Sequence, residues 1–199
     1  EKSEPKWKSV MADKVQENKD WVTLLNLAGK INHPELRDFT LAFLEDVVPD
    51  YFARIAASAS GKYHPQYSLG YGGLLRHTIA LLAKELAALE YWQFSPGEQE
   101  LIFAATILHD TFKQGKEESG KTERSHPNIA AIEIRKFAEK RGDQKFGNLL
   151  AGLVVAHMGQ WGNQKPGNKG QFCVHLADFI ASRRNVEVHW DEEFLSSIK

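Results

Sequence analysis

The sequence contains a single cysteine, Cys173, in 199 residues. That excludes an intrachain disulfide and any zinc cage built from several cysteines, and it fits a reducing compartment. No apolar run approaches the ~20 residues needed to cross a bilayer. The first twenty residues, EKSEPKWKSVMADKVQENKD, lack the apolar centre of a secretory signal. A cytoplasmic protein with no membrane partner is the expectation. Neither sign of charge is in excess: 25 Lys and Arg against 26 Asp and Glu leave a net charge of −1, so bulk basicity does not mark a nucleic-acid binder. No internal repeat and no low-complexity segment is present. What the chain does have is histidine, eight of them, at 33, 64, 77, 109, 126, 157, 175 and 189. Histidine is the commonest metal ligand and the side chain most suited to proton transfer near neutrality.

A mass of 22.5 kDa suits one domain. Residues 1–20 read as a polar N-terminal extension and residues 21–199 as the domain. From Trp21 onward the apolar spacing is helical. Pro34 opens a helix that runs through Val48 with Leu36, Phe39, Leu41, Phe43 and Leu44 on its apolar side. A short helix after Pro49 carries Tyr51, Phe52 and Ile55. Residues 58–73, rich in Gly, Ser and Pro, form a loop. A long helix is expected from Gly73 to about Tyr91, with Leu74, Leu75, Ile79, Leu81, Leu82, Leu86 and Leu89 as its stripe. Ser95, Pro96 and Glu98 spell an N-cap, a first-turn proline and a capping box. The apolar body 101–108 that follows marks the central buried helix. Residues 111–125 are a polar loop, His126 and Pro127 open another helix, 147–157 form the next, and 159–170 are a second polar loop. The last helix runs from about Gln171 to Arg184. Only residues 185–189 hint at alternation. The fold class is therefore all-α, a single helical bundle.

Several polar residues sit where those helices are most apolar. His77 lies mid-helix between Leu74 and Leu81. His109 and Asp110 end the central helix, His126 begins a helix, His157 ends one, and Asp178 lies between Val174 and Phe179. A buried carboxylate is costly unless it is paired or bound to a metal. Either six polar groups are satisfied separately, which ordinary cores rarely need, or they share divalent cations. Imidazole and carboxylate together suit Mn, Fe, Co, Ni or Zn. Neighbours on a helix point ~100° apart, so His109 and Asp110 reach one site only near the helix end.

The ordered motifs GYGGLLRHT, ILHDTFKQG, SHP, VVAHMGQWG and VHLADFIASR resemble those of the HD-domain superfamily of metal-dependent phosphohydrolases, over roughly residues 64–184. The resemblance implies a helical bundle with its metal centre between the central helices. It implies a first metal held by His77, His109, Asp110 and Asp178. His126 and His157 resemble the additional pair of the two-metal branch, with Asp110 bridging two divalent transition metals. The glycine-rich approach YHPQYSLGYGGLLRHT is most similar to the HD domain of bacterial 3′-to-5′ exoribonucleases, whose OB-type domain has no counterpart in these 199 residues.

The implied reaction is hydrolysis of phosphodiester bonds in a nucleotide or short nucleic-acid substrate by a metal-activated hydroxide. The alternatives are a nucleotidase or deoxynucleoside triphosphohydrolase, and a catalytically silent nucleotide-binding module. Asp110 and Lys113 are the candidate catalytic residues, Lys113 as a neutraliser of phosphate or leaving-group charge. Cys173 reads as a packing residue. The two polar loops, each following a candidate ligand, are expected to rim the site with Lys113, Lys116, Lys121, Arg124, Lys165 and Lys169. Candidate substrate contacts are His64, Arg76, Lys113, Lys121, Arg124, Gln160, Trp161 and Arg183, with Trp161 able to stack a base. His175 reads as a core residue or a support for the ligands, His33 as a helix-cap residue, and His189 as a surface residue.

Overall fold

The computed structural model describes residues 19–184 apart from position 82. Most of the polar extension, the alternating stretch 185–189, His189 and the expected stripe residue Leu82 lie outside the described residues. Every regular element among the described residues is helical. None of these helices is long and apolar enough to cross a membrane.

Helix α1, Lys19–Ala28, buries Trp21, Leu24, Leu25 and Ala28, the spacing of one helical face. Helix α2, Pro34–Asp46, starts where His33 Nδ1 accepts the Leu36 N–H at 3.4 Å, as the cap position predicted. Its buried face carries Leu36, Phe39, Phe43 and Leu44. It stops before Val48, and the helix expected after Pro49 is one 3-10 turn, Asp50–Ala53.

Helix α3, Gly73–Ala80, and the short α4, Ala83–Ala87, replace the single long helix expected from Gly73. The chain turns extended at Leu81 (φ −65°, ψ 108°). The Thr78 hydroxyl donates to the Leu74 carbonyl at 2.9 Å, a back-bond that bends helices. The break also lets Leu81 and Ala83 pack on Ala177 and Ala181 in a small second core. That packing outweighs the local helical periodicity.

Helix α5, Pro96–Leu108, has the expected capping box: Glu98 accepts the Ser95 N–H at 2.7 Å, and Ser95 Oγ accepts the Glu98 N–H at 3.4 Å. All residues from Ile102 through Leu108 are buried, so α5 is the axis of the bundle. Helices α6, His126–Arg141, and α7, Gln144–Val154, form an antiparallel hairpin against it, and α8, Lys169–Ala181, closes the bundle. Phe137 of α6 meets Phe39 and Phe43 edge-on, with centroids 5.4 and 5.5 Å apart, which ties α2 to α6.

The start of α3 is fixed by close backbone contact. Leu74 N–H donates to Ile55 O at 2.9 Å and Ala57 N–H to Ser68 O at 3.0 Å. A Cβ on Gly73 would lie 2.2 Å from the Ser68 carbonyl oxygen. Gly73→Ala is therefore expected to destabilise the fold by roughly 2 kcal/mol, the scale of overpacking that backbone must absorb. Urea denaturation checks it, and an unchanged midpoint would count against this packing.

Candidate metal centre

Three helix boundaries and two helix interiors bring the candidate ligands together. His109 and Asp110 follow the end of α5, His157 follows the end of α7, and His126 starts α6. His77 and Asp178 project from within α3 and α8. Carbonyls near a helix C-terminus have no intrahelical partner, and two of these histidines use one. His109 Nδ1 donates to Thr106 O at 2.7 Å and His157 Nδ1 to Val154 O at 2.8 Å. His126 Nδ1 donates in the same way to Glu123 O at 2.7 Å. With Nδ1 committed to a carbonyl, each ring turns its Nε2 inward.

The ligand atoms form two groups that share Asp110: His77, His109, Asp110 and Asp178, and Asp110, His126 and His157, each within 4.8 Å of one another. Asp110 Oδ2 faces the first group, 3.3 Å from His109 Nε2 and 3.9 Å from His77 Nε2. Its Oδ1 faces the second, 2.8 Å from His126 Nε2 and 3.3 Å from His157 Nε2. Asp178 Oδ1 lies 3.0 Å from His77 Nε2 and 3.7 Å from His109 Nε2. Lys113 Nζ stands 2.7 Å from Asp110 Oδ2.

The donor set fits a cation. His126 and His157 place their Nε2 atoms 3.0 Å apart. Both rings already donate through Nδ1, so the two facing Nε2 atoms need a shared proton or a metal ion between them. His109 Nε2 and Asp110 Oδ1 are buried with no hydrogen-bond partner, a condition native cores rarely leave unexplained. The C-terminal ends of α5 and α7 also aim their negative dipole ends at the cluster. Imidazole nitrogen with carboxylate oxygen is the ligand chemistry of divalent transition metals.

Charge coupling inside the cluster is strong. Burial pushes His109 down, but the Asp110 and Asp178 carboxylates hold it up to about 10. Burial pushes His157 down to about 4 against the pull of Asp110, and burial beside His77 and Lys113 pushes His64 down to about 4. Burial works to raise both carboxyl groups, yet Lys113 and His109 hold Asp110, and His109 and His77 hold Asp178, well below the usual range. Burial works to lower Lys113, but Asp110 and Asp178 keep its ammonium above its ordinary value.

A pH dependence follows for chelated protein. Between their ordinary 6.5 and about 4, His157 and His64 bind protons when unfolded and not when folded, so stability falls as pH drops through that window. Protonation of Asp110 and Asp178 extends the loss below the ordinary carboxylate value of 3.8. His109 has the opposite sign: the fold keeps a proton that the unfolded chain releases above 6.5, so its contribution declines toward pH 10. Urea midpoints in EDTA should peak near neutrality, and a flat profile from 6.5 down to 4 would contradict the coupling.

The sequence model of the HD domain matches residues 75–182, more than half of the 199-residue chain. The chain belongs to the HD-domain family. All six candidate ligands of this HD domain fall inside the matched stretch. Membership implies metal-dependent phosphohydrolase activity in general, and the buried His and Asp cluster implies divalent metal binding. Neither the curated proteins nor the solved structures give a match.

The remaining candidate residues of the HD domain are placed unevenly. The His64 ring lies 5.9 Å from that of His77, at the edge of the cluster. Trp161 and Arg183 meet each other, with the guanidinium carbon 4.8 Å from the ring centroid. Lys121, Arg124 and Gln160 are exposed on the two loops. Arg76, another candidate substrate contact, is bonded to the chain itself. It donates to Tyr67 O at 2.6 Å and Leu69 O at 2.9 Å and pairs with Asp20 at 2.9 Å. The basic rim is also thinner than the loops suggested. Lys116 pairs with Glu133 at 2.7 Å, and Lys169 donates to Trp92 O at 2.9 Å. Cys173 is buried and its thiol pushed up to about 11 by burial, in keeping with packing.

Two supporting residues carried little signal in the sequence. The Tyr51 hydroxyl donates to Gly115 O and accepts the Gln114 N–H at 3.1 Å, which anchors the turn after Lys113. Tyr51 read only as an apolar residue after Pro49. His175 Nδ1 donates to His157 O at 2.7 Å. Gly159, at φ +56°, leaves the space that the His175 ring fills. A partner that is a backbone carbonyl leaves no mark in residue types, so only the tertiary structure shows this contact.

Proposed function

We propose that this HD domain hydrolyses phosphodiester bonds in a nucleotide or short nucleic-acid substrate. His77, His109, Asp110 and Asp178 would hold one divalent transition metal, and Asp110, His126 and His157 a second. The observation that carries this reading is the sharing of Asp110, whose Oδ2 faces one ligand group and Oδ1 the other. When bound, the two ions would lower the pKa of a water toward neutrality and stabilise charge on the phosphoryl oxygens.

The protein's own residues supply positioning. The three Nδ1 bonds to carbonyls fix the directions of His109, His126 and His157. Lys113 keeps its ammonium charged next to Asp110, placed to neutralise a phosphate oxygen or a leaving alkoxide. Burial of His109, Asp110, His126 and His157 keeps bulk water out and strengthens each of these interactions. The catalytic unit is taken as residues 21–199 and its compartment as the cytoplasm.

The test joins metal analysis with a substrate panel. Protein purified without chelators should carry about two transition-metal ions per chain and cleave bis(p-nitrophenyl) phosphate and short oligonucleotides. Turnover of nucleoside mono- or triphosphates with none of the diesters would favour the nucleotidase alternative. Nucleotide binding without turnover under any of Mn, Fe, Co, Ni or Zn would sink the enzymatic reading.

A further inference from the structure

A concave site that the proposed reaction does not use is lined in part by residues adjacent in the chain to the edge of the metal centre. It is a surface cavity of about 460 Å³ lined by Lys62, Tyr63, Arg183 and Arg184. Its two walls are joined by the Arg184 N–H, which donates to Tyr63 O at 2.8 Å. The chain from Tyr63 passes directly to His64, whose ring faces His77 at 5.9 Å. The Tyr63 wall of the cavity is thus one residue along the chain from the edge of the cluster.

Among the described residues, three cations meet there without a carboxylate. Among the described residues, no Asp or Glu pairs with Lys62, Arg183 or Arg184. Elsewhere on the surface, Arg54, Arg76, Lys136 and Arg141 each have an acidic partner within 3.1 Å. Grouping like charges around one hollow raises their mutual repulsion unless an anion answers it. Arg183 is moreover held in place by rings. Its guanidinium carbon lies 4.6 Å from the Phe179 centroid, 4.8 Å from Trp161 and 5.8 Å from Tyr63. Phe179 and Trp161 are within 8° of parallel. Arg183 Nε is buried with no hydrogen-bond partner. Tyr63 and Trp161 remain 56% and 42% exposed, so each still offers ring surface to a base.

We propose that this cavity binds a second phosphate of the substrate, with Tyr63 and Trp161 beside it for a base. The preferred ligand is then a single-stranded piece with at least two phosphates, one at the metal centre and one between Lys62, Arg183 and Arg184. The inference rests on the phosphodiester reading above and narrows its substrate. A lone diester fills only half of the binding surface. Arg183, clamped by three rings, sets the position of the second phosphate, and the more exposed Lys62 and Arg184 supply attraction.

The experiment measures equilibrium binding to the protein as purified. The probes are thymidine dinucleotides with a phosphorothioate link, carrying no further phosphate, a 5′-phosphate or a 3′-phosphate. One terminal phosphate should tighten binding to the wild type about tenfold, and raising the salt should erase most of that gain. The Lys62→Ala/Arg184→Ala double variant should lose the gain, and Lys62→Arg/Arg184→Lys should keep it. Equal binding of all three probes to the wild type would overturn the proposal, as would a gain that survives in the alanine variant. Tight binding of inorganic phosphate with no difference among the dinucleotides would overturn it in favour of a free-anion site. Because binding is read without turnover, failure of the phosphodiesterase reading shows separately, in the hydrolysis of bis(p-nitrophenyl) phosphate.

Discussion

Replacing Asp110 by asparagine is expected to lower the proposed phosphodiesterase activity by roughly a thousandfold or more, the scale of removing a central electrostatic group. It is also expected to reduce the metal content from the proposed two ions per chain to one or none. The substitution keeps the shape of the side chain and removes its charge. Oδ1 and Oδ2 now serve His126 and His157 on one side and His77, His109 and Lys113 on the other. An amide offers one acceptor oxygen and so cannot serve both. The change also strips the buried Lys113 ammonium of its nearest carboxylate, a loss on the order of 3–5 kcal/mol for a buried pair. A folding control is therefore needed. Asp178→Asn touches only the first ligand group and leaves the Lys113–Asp110 pair in place. It should lose one ion and keep a normal circular dichroism spectrum. Elemental analysis with initial rates on bis(p-nitrophenyl) phosphate checks both variants. Two ions and full activity in folded Asp110→Asn protein would remove the shared-carboxylate reading.

The second large effect is expected from a residue that touches no ligand atom. Gly159→Ala should weaken binding of the ion proposed at His126 and His157 by roughly 10–100-fold while sparing the one proposed at His77 and Asp178. It should also destabilise the fold by about 3 kcal/mol, combining left-handed backbone with overpacking. Gly159 sits at φ +56°, and an added Cβ would lie 2.3 Å from His175 Cε1. The ring has little room to retreat, since Trp161 and Phe179 flank it with centroids 6.2 Å away. Either the turn rotates or the ring leaves, and both break the His175 bond that fixes the His157 backbone. Metal titration followed by differential scanning calorimetry separates the two effects. His175→Gln, which retains a donor without the ring, should recover part of the affinity. Unchanged titration at both groups would show that the turn does not depend on this wedge.

The parts of the fold that were legible in the sequence are those decided within one turn of helix. Ser95, Pro96 and Glu98 announced α5 because caps and capping boxes are local chemistry. His33 and Pro34 did the same for α2. The six candidate ligands were legible because polar residues in apolar stripes stand out, and the structure gathers them into two groups. The break at Leu81 was not legible. It depends on Ala177 and Ala181, distant in the chain, which accept Leu81 and Ala83 against α8. The contacts of Arg76 within the fold were not legible for a similar reason: its partners are two backbone carbonyls and Asp20, which residue types near position 76 do not reveal. The loop lysines looked like a basic rim until Glu133 and the Trp92 carbonyl claimed Lys116 and Lys169.

The backbone carbonyls that hold His109, His126 and His157 have a consequence for ion choice. Those rings are oriented as the chain folds, so their rotational entropy is spent before any ion arrives. Such a rigid set gains affinity through preorganisation and gives up the freedom to reshape around each ion. Ligand type alone hardly separates Mn, Fe, Co, Ni and Zn at sites of imidazole and carboxylate. Selectivity then passes to size and preferred coordination angle, measured against nitrogens whose directions the helix ends have already set.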